Sequence, residues 1–286
     1  MQYEIKKLKV SNLAFTQQRD MEYRFGGQGT KVALLLYGGH TNVNTHLGED
    51  YFTENGYKIL TVTRPGYGNT PLSTGRTPDG FADALSELFG CLHIQQALVV
   101  GISAGGRTAM RFAAKYPTLV GKLILQSSIS FAPWPNFLTR VGTYVGFNPF
   151  SEKYIWKLMR AFLKKNPKVA IKMMFANMTT LDPRKIVKNF TNQQIQELVQ
   201  LFTQMGSGRG FVNDIKTINN NATDITVPTL IIHSKYDKSV PLTHPRLLAQ
   251  QIPNSSLFLS EAESHMIWFS PHYAEIKKVM DEFLHG

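Results

Sequence analysis

The chain has 286 residues, of which 43% are hydrophobic, and its formal net charge is +11. This length predicts one large domain, or a domain with an insertion, with enough apolar residues for a substantial core. The single cysteine, Cys91, excludes an intrachain disulfide, and we interpret it as a small buried residue. Because the N-terminus lacks a signal-peptide stretch and no run approaches the roughly 20 apolar residues of a membrane span, we expect a cytoplasmic protein.

Short apolar segments separated by turn residues open the chain. Residues 5–10, 21–25 and 32–37 read as strands, and the first two are expected to form an edge hairpin. Thr77 followed by Pro78 predicts a helix start, because threonine caps helices and proline fits their first position. The segments up to residue 126 are strands at 58–63, 97–102 and 122–126 and helices at 78–90 and 105–116. This alternation favours an α/β fold with a mostly parallel sheet covered on both faces.

The pattern changes after residue 130. From 131 to 223 there is no convincing strand, but helix starts recur at Ser151, Asn166-Pro167, Asp182-Pro183 and Thr191. Alternation then resumes, with strands at 227–234 and 256–259 and helices at 245–251 and 271–284. The sequence therefore predicts a core domain of residues 1–130 and 224–286 with a helical insertion, residues 131–223, that forms a cap.

The most informative motif is Gly101-Ile102-Ser103-Ala104-Gly105, which ends an apolar strand and precedes a helix. A strand that breaks abruptly into a helix holds the turn residue up at the end of the sheet, and flanking glycines remove side chains that would collide. The turn residue here is Ser103, which makes it a candidate nucleophile.

A serine hydroxyl needs a base to remove its proton, and the base needs an acid to orient it. Asp237 directly follows the strand at 227–234, and His265 directly follows the strand at 256–259. The chain order Ser103, Asp237, His265 is the order used by nucleophile-elbow hydrolases.

Four motifs together resemble the α/β-hydrolase family, in particular its esterase and lipase-like members with a helical cap. They are the loop at 34–40, the Gly-x-Gly-x-Ser-like loop at 64–70, the elbow at 101–105, and the acid and base Asp237 and His265. The resemblance implies an α/β-hydrolase fold and an oxyanion hole formed by the N–H groups of Gly39 and Ala104. The family usually has His-Gly where this chain has Tyr37-Gly38, which leaves open whether Gly39 or His40 supplies the first N–H.

Other histidines and aspartates offer alternatives for these roles. His40 borders the oxyanion loop and is a candidate substrate-binding residue, whereas His233 reads as a packing residue or one that supports the site. Asp214 and Asp224 are rival acids but come too early in the chain for the strand-end position. The remaining histidines, among them His244, read as surface or capping residues, and we expect no metal and no cofactor.

The helical insertion is both aromatic-rich and basic, with 13 Lys/Arg against 4 Asp/Glu. Its aromatic surplus predicts an apolar lining over Ser103, with Trp134 and Phe137 as candidate substrate-binding residues. Its lysines are expected on the helix face opposite Ile155, Leu158 and Phe162. They either form a solvated face or attract anionic lipid surfaces or anionic substrates. No motif supports nucleic-acid binding, and homodimerisation stays open.

These observations predict a serine hydrolase that cleaves carboxylic esters of small to medium, hydrophobic acyl groups through an acyl-enzyme on Ser103. Thioester, amide, N-terminal proline peptide and C–C bond cleavage use the same residues and remain alternatives. A slow-turnover ligand-binding sensor that keeps the three residues is the alternative from another class.

Overall fold

The computed structural model describes residues 5–12, 15–135, 140, 142, 146, 151–216 and 220–286. Its centre is one eight-stranded sheet with the order β1-β2-β4-β3-β5-β6-β7-β8. The strands are β1 Ile5–Asn12, β2 Phe15–Gly26, β3 Lys31–Leu36, β4 Tyr57–Val62, β5 Ala97–Ile102, β6 Val120–Gln126, β7 Thr229–Ser234 and β8 Ser255–Ser260. The α/β-hydrolase fold predicted from the motifs is confirmed.

The predicted edge hairpin is present, with β1 antiparallel to β2 at one end of the sheet. β2 is longer than expected and pairs with β4 rather than with its neighbour in sequence, β3. From β4 to β8 all adjacent pairs are parallel. The carboxyl ends of β3, β5, β7 and β8 therefore share one edge, where ligands of open α/β sheets bind.

Helices cover both faces of the sheet. The ten helices described are α1 Glu49–Glu54, α2 Pro78–Cys91, α3 Gly106–Lys115, α4 Glu152–Lys165, α5 Pro167–Phe175, α6 Pro183–Asn189, α7 Asn192–Thr203, α8 Gly210–Asp214, α9 Thr243–Gln251 and α10 Tyr273–His285. One apolar cluster joins α2, α3 and α9 to one face, and a second joins α1 and α10 to the other. Cys91, at the end of α2, is exposed, so its interpretation as a buried residue is wrong.

Several predicted helix starts are set by side-chain caps. Thr77 accepts from the N–H of Gly80, and Asp182 accepts from that of Arg184. Thr191 forms a full capping box with Gln194. Ser151 stands before α4 as expected, but its hydroxyl donates to the carbonyl of Gly146 (2.7 Å) and caps nothing.

The helical insertion supplies α4 to α8, and its described residues contain no strand, only an isolated bridge between Thr179 and Asp237. The prediction for Leu158 is wrong, because its side chain is 73% exposed and lies on the lysine side of α4. The face of α4 that packs inward carries Trp156 and Leu163 instead. The domain limits at 130 and 224 stay a prediction. In the described residues, no helix combines the length and apolar character needed to span a bilayer.

Candidate active site

Ser103 sits directly after β5 in a strained turn, with φ of +51°. A left-handed φ is unfavourable for a non-glycine residue and is usually kept where a function requires it. The neighbouring glycines allow the turn to approach the sheet, since a Cβ on Gly105 would lie 2.0 Å from the carbonyl oxygen of Leu36. A Cβ on Gly38 would lie 2.8 Å from the Cβ of Ser103, so the loop after β3 passes directly beside the serine.

Asp237 and His265 are paired at the same edge of the sheet. The Nδ1 of His265 lies 2.6 Å from Oδ2 of Asp237, and both residues are buried. The other carboxylate oxygen accepts from the backbone N–H of Val240 (2.8 Å). An aspartate held in this way can fix the tautomer and orientation of a histidine, leaving the second ring nitrogen for proton transfer.

The loop that follows β6 joins the serine turn to the histidine loop. The N–H of Ile129 donates to the carbonyl of Ser103 (3.2 Å), and the hydroxyl of Ser127 donates to the carbonyl of His265 (3.0 Å). Within the described residues, no hydrogen bond joins the Ser103 hydroxyl to His265. Contacts of this kind are often long in ligand-free enzymes and tighten when substrate binds.

Two backbone donors flank Ser103. Over the described part of the chain, neither the N–H of Gly39 nor that of Ala104 has a protein acceptor. The loop bearing Gly39 is held by Arg64, whose guanidinium donates to the carbonyls of Tyr37 (2.8 Å) and Gly38 (2.9 Å). Free N–H groups on a fixed loop are the arrangement that stabilises an oxyanion.

Asp214 is the partner of Arg64 rather than a member of the Asp–His pair. Its carboxylate accepts two bonds from Arg64, at 2.7 and 2.8 Å, and a third from the hydroxyl of Tyr67 (2.6 Å). Burial alone would lower the pKa of Arg64, but the charge of Asp214 and its hydrogen bond raise that pKa above its usual value. Asp214 therefore ties the helical insertion to the loop at 64–68. The other rival acid, Asp224, pairs with Arg111 near the surface.

Two further histidines lie close to Asp237. The Nε2 of His233 donates to the carbonyl of Val240 (2.8 Å) and lies 3.4 Å from Oδ2 of Asp237. Burial lowers the pKa of His233, so the ring is neutral, in keeping with a supporting role. His244 is also buried and its Nδ1 accepts from the N–H of Ser130 (3.1 Å), which corrects its interpretation as a surface residue.

His40 connects the oxyanion loop to the helical insertion. Its Nδ1 lies 2.7 Å from the hydroxyl of Ser207, which also accepts from the indole N–H of Trp156 (2.8 Å). Its ring lies 4.0 Å from that of Phe211, centroid to centroid. Burial lowers the pKa of His40 to about 4, so its ring is neutral near pH 7. The residue is thus packed against the helical insertion beside the site.

A short segment of the helical insertion touches both members of the Asp–His pair. The backbone N–H of His265 donates to the carbonyl of Met178 (2.8 Å), and Thr179 forms the isolated bridge with Asp237. The position of this pair therefore depends on the residues between α5 and α6. Neither contact carries a sequence motif, and both join residues more than fifty positions apart.

Trp134 lies at the junction of the site loops, where it packs beside Ala104, Ile129 and Val240. Its indole N–H donates to the carbonyl of Ser239 (2.7 Å). Phe137 lies outside the described residues. The structure thus places Trp134 beside the acid loop, close to the residue behind the serine.

A cavity of about 200 Å³ opens beside Ala104. Its lining includes four cationic side chains, those of Arg64, Arg76, Arg107 and Lys216. The carboxylate of Asp214 also lines the cavity. Burial lowers the pKa of Arg107 to about 10, which still leaves it charged near pH 7. No three His, Cys, Asp or Glu side chains among the described residues converge as they would around a metal ion.

The sequence placed Ser103, Asp237 and His265 after strands of the sheet, and the structure pairs Asp237 with His265, but the residues that hold them were not predicted. Ser207, Met178 and the pairing of Arg64 with Asp214 belong to no recognisable pattern. The one available signal was Arg64 itself, a charged residue at a strand end, where arginines often form structural hydrogen bonds. In the structure Arg64 bonds the carbonyls of Tyr37 and Gly38 and the carboxylate of Asp214.

The chain as a whole is similar to known hydrolases. Residues 34–270 match the family described as alpha/beta hydrolase fold. A Bacillus subtilis (strain 168) protein named "Uncharacterized hydrolase YcgS" is 31% identical over 97% of this chain and 99% of its own length. A Burkholderia vietnamiensis protein named 2-hydroxy-6-oxononadienedioate/2-hydroxy-6-oxononatrienedioate hydrolase is 26% identical over 92% of this chain and 90% of its own.

A solved structure shows the same architecture. The alpha/beta hydrolase fold protein from Nakamurella multipartita superposes with a TM-score of 0.78 at 22% identity, covering 98% of this chain and 99% of that one. At this identity the likeness concerns the fold alone.

Proposed function

This chain belongs to the α/β hydrolase fold family and is a hydrolase, and from that premise we propose that it cleaves carboxylic esters through an acyl-enzyme on Ser103. The observation that carries the proposal is the 2.6 Å contact between His265 and Asp237, at the same edge of the sheet as a serine held at positive φ. Fold membership alone does not assign chemistry, so the proposal depends on the residues of this site.

The proposed reaction has two halves. The Oγ of Ser103 attacks the acyl carbon while Nε2 of His265 takes its proton, and the N–H groups of Gly39 and Ala104 stabilise the oxyanion. His265 then gives the proton to the leaving alcohol, and the acyl group stays on Ser103. In the second half His265 takes a proton from water as the resulting hydroxide attacks the acyl-enzyme. The bond from the acyl carbon to Oγ then breaks, His265 returns the proton to Oγ, and the acid and free Ser103 are released.

A second candidate is hydrolysis of a C–C bond in an anionic keto acid. Relatives at 24–26% identity are named as hydrolases of 2-hydroxy-6-oxononadienedioate, a dicarboxylate. Arg76 and Lys216, which are exposed at the cavity beside Ala104, favour this candidate, because guanidinium and ammonium groups bind carboxylates. The same serine, histidine and aspartate would act in either reaction.

Labelling with a fluorophosphonate, together with turnover of a nitrophenyl ester, tests the nucleophile. Ser103→Ala should abolish both, with kcat reduced by roughly 10⁶ as for triad serines elsewhere. Ser86→Ala is the matched control, because this serine lies on α2 and its hydroxyl donates to the carbonyl of Asp83. Labelling that survives in Ser103→Ala contradicts the proposal, and labelling of the wild type without turnover favours the sensor.

Kinetics on two substrate classes separate the ester from the C–C reaction. A neutral nitrophenyl ester and a 2-hydroxy-6-oxo dicarboxylate are compared at equal concentration. Arg76→Gln and Lys216→Gln, both exposed at the cavity, should raise KM several-fold for the dicarboxylate alone. Turnover of the ester with none of the dicarboxylate removes the second candidate.

A further inference from the structure

The large apolar side chains that are exposed in the described residues all belong to one stretch of the helical insertion. They are Tyr154, Leu158, Val169, Met173 and Leu181. Leu158 and Tyr154 are 73% and 65% exposed. Single exposed leucines are ordinary on protein surfaces, but a concentration on two consecutive helices marks an interaction site.

The exposed residues follow helical spacing. Tyr154 and Leu158 are four residues apart on α4, and Val169 and Met173 are four apart on α5, so each pair lies on one face of its helix. Both helices already bury a different face, through Trp156 and Leu163 on α4 and through Ala170, Ile171 and Phe175 on α5. The outward apolar residues are therefore not needed for packing the helical insertion.

Lysines surround these apolar residues. From 152 to 189 there are ten Lys/Arg and two Asp/Glu. The two carboxylates are occupied, since Glu152 accepts from the backbone N–H groups of Ser207 and Gly208 and Asp182 pairs with Arg184. The exposed lysines on α4 and at the start of α5 include Lys153, Lys157, Lys165 and Lys168.

We propose that this outer face, the exposed side chains of α4 and α5, docks on the surface of an anionic lipid bilayer. Apolar side chains enter the boundary between headgroups and acyl chains while lysines remain at the headgroups. Protein interfaces are depleted in lysine, whereas polybasic surfaces with scattered apolar and aromatic residues suit lipid. The inference goes beyond the proposed reaction, because it concerns where the protein binds and not what it cleaves.

Vesicle sedimentation with the full chain tests the proposal. We expect binding to vesicles containing about one-third phosphatidylglycerol, none to pure phosphatidylcholine, and a steep loss of binding as salt screens the lysines over about 8 Å at physiological strength. Each lysine near the surface contributes roughly fivefold to partitioning, so Lys157→Gln with Lys168→Gln should weaken binding about twenty-five-fold. Leu158→Ser should weaken it about tenfold.

Lys278→Gln is the control, since this exposed lysine lies on α10 and is not part of the outer face of α4 and α5. The experiment is repeated with Ser103→Ala, so that its result does not depend on catalysis, and retained turnover of a water-soluble ester shows that the outer-face variants are folded. The proposal is overturned if the protein binds equally well to vesicles with and without phosphatidylglycerol. It is also overturned if the wild type and the outer-face variants bind equally well. Sedimentation velocity showing a dimer that Leu158→Ser dissociates while vesicles are not bound overturns it as well.

Discussion

Strands β5 and β7 are buried at all six of their residues, whereas α4 buries two of its fourteen. The sheet is held by apolar packing on both faces, as expected for parallel strands. The helical insertion shares the apolar cluster on one face of the sheet, through residues such as Leu163 and Phe175. It also meets the sheet edge through specific polar bonds: Asp214 with Arg64, Ser207 with His40, and Met178 with His265. The sheet thus places the reacting residues, and the helical insertion holds the loops that carry them.

Two aspartates illustrate this difference. Asp237 lies on a core loop and pairs with His265, whereas Asp214 lies in the helical insertion and neutralises a buried arginine. The first should matter for turnover and the second for stability. Substitutions at the two positions test whether turnover and stability depend on different aspartates.

The largest effect is expected from Asp237→Asn. An asparagine would hold the wrong tautomer of His265, and kcat for an ester should fall on the order of 10⁴, the size of the loss for the same substitution in a serine protease. Steady-state kinetics measure this directly. Near-wild-type activity in Asp237→Asn, combined with loss of activity in Asp224→Asn, would show that the acid has been misplaced.

Asp214→Asn should act on stability instead. Arg64 would be left as a buried charge without its partner, and removing one member of a buried pair costs about 3–5 kcal/mol. Urea unfolding measures the loss. Asp224→Asn is the matched control: its carboxylate is 49% exposed, so the loss there should stay below about 1 kcal/mol. Equal losses in the two variants would show that the buried pair of Asp214 and Arg64 contributes no more stability than the exposed pair.

A pH effect is expected from His244. Burial lowers its folded pKa from 6.5 to about 4, so the unfolded chain binds the proton first as pH falls. The contribution of neutral His244 to the free energy of unfolding is therefore fully present above pH 6.5. It decreases as pH falls towards 4, by about 2–3 kcal/mol between pH 7 and 4.5. In His244→Gln, the free energy of unfolding should fall less steeply over this pH range. Parallel curves of unfolding free energy against pH for the two proteins would exclude it.

The smallest effect concerns acyl length. If aromatic residues of the helical insertion line the acyl pocket, each added methylene contributes about 0.8 kcal/mol, roughly fourfold in kcat/KM, until the pocket is full. Trp134→Ala, beside Ala104, should shift the preferred length. An ester series from acetate to decanoate measures both. A flat profile in the wild type would mean that these aromatics are only structural.

The order of strands and helices was predictable because their signals are local. Alternation of apolar segments, the caps Thr77 and Thr191, and the glycines around Ser103 each act within a few residues through backbone conformation. The positions of Asp237 and His265 followed from the same logic, since each comes directly after a strand. Local chemistry of this kind can be read without knowing what packs where.

Tertiary structure decided what meets across the chain. The pairing of β2 with β4, the bond from Arg64 to Asp214 150 residues away, and the burial of His244 depend on how the elements come together. The same holds for Leu158, whose helical periodicity allowed either orientation. Which face of α4 packs inward is decided by the area it buries against neighbouring helices, a sum over distant residues that no short segment encodes.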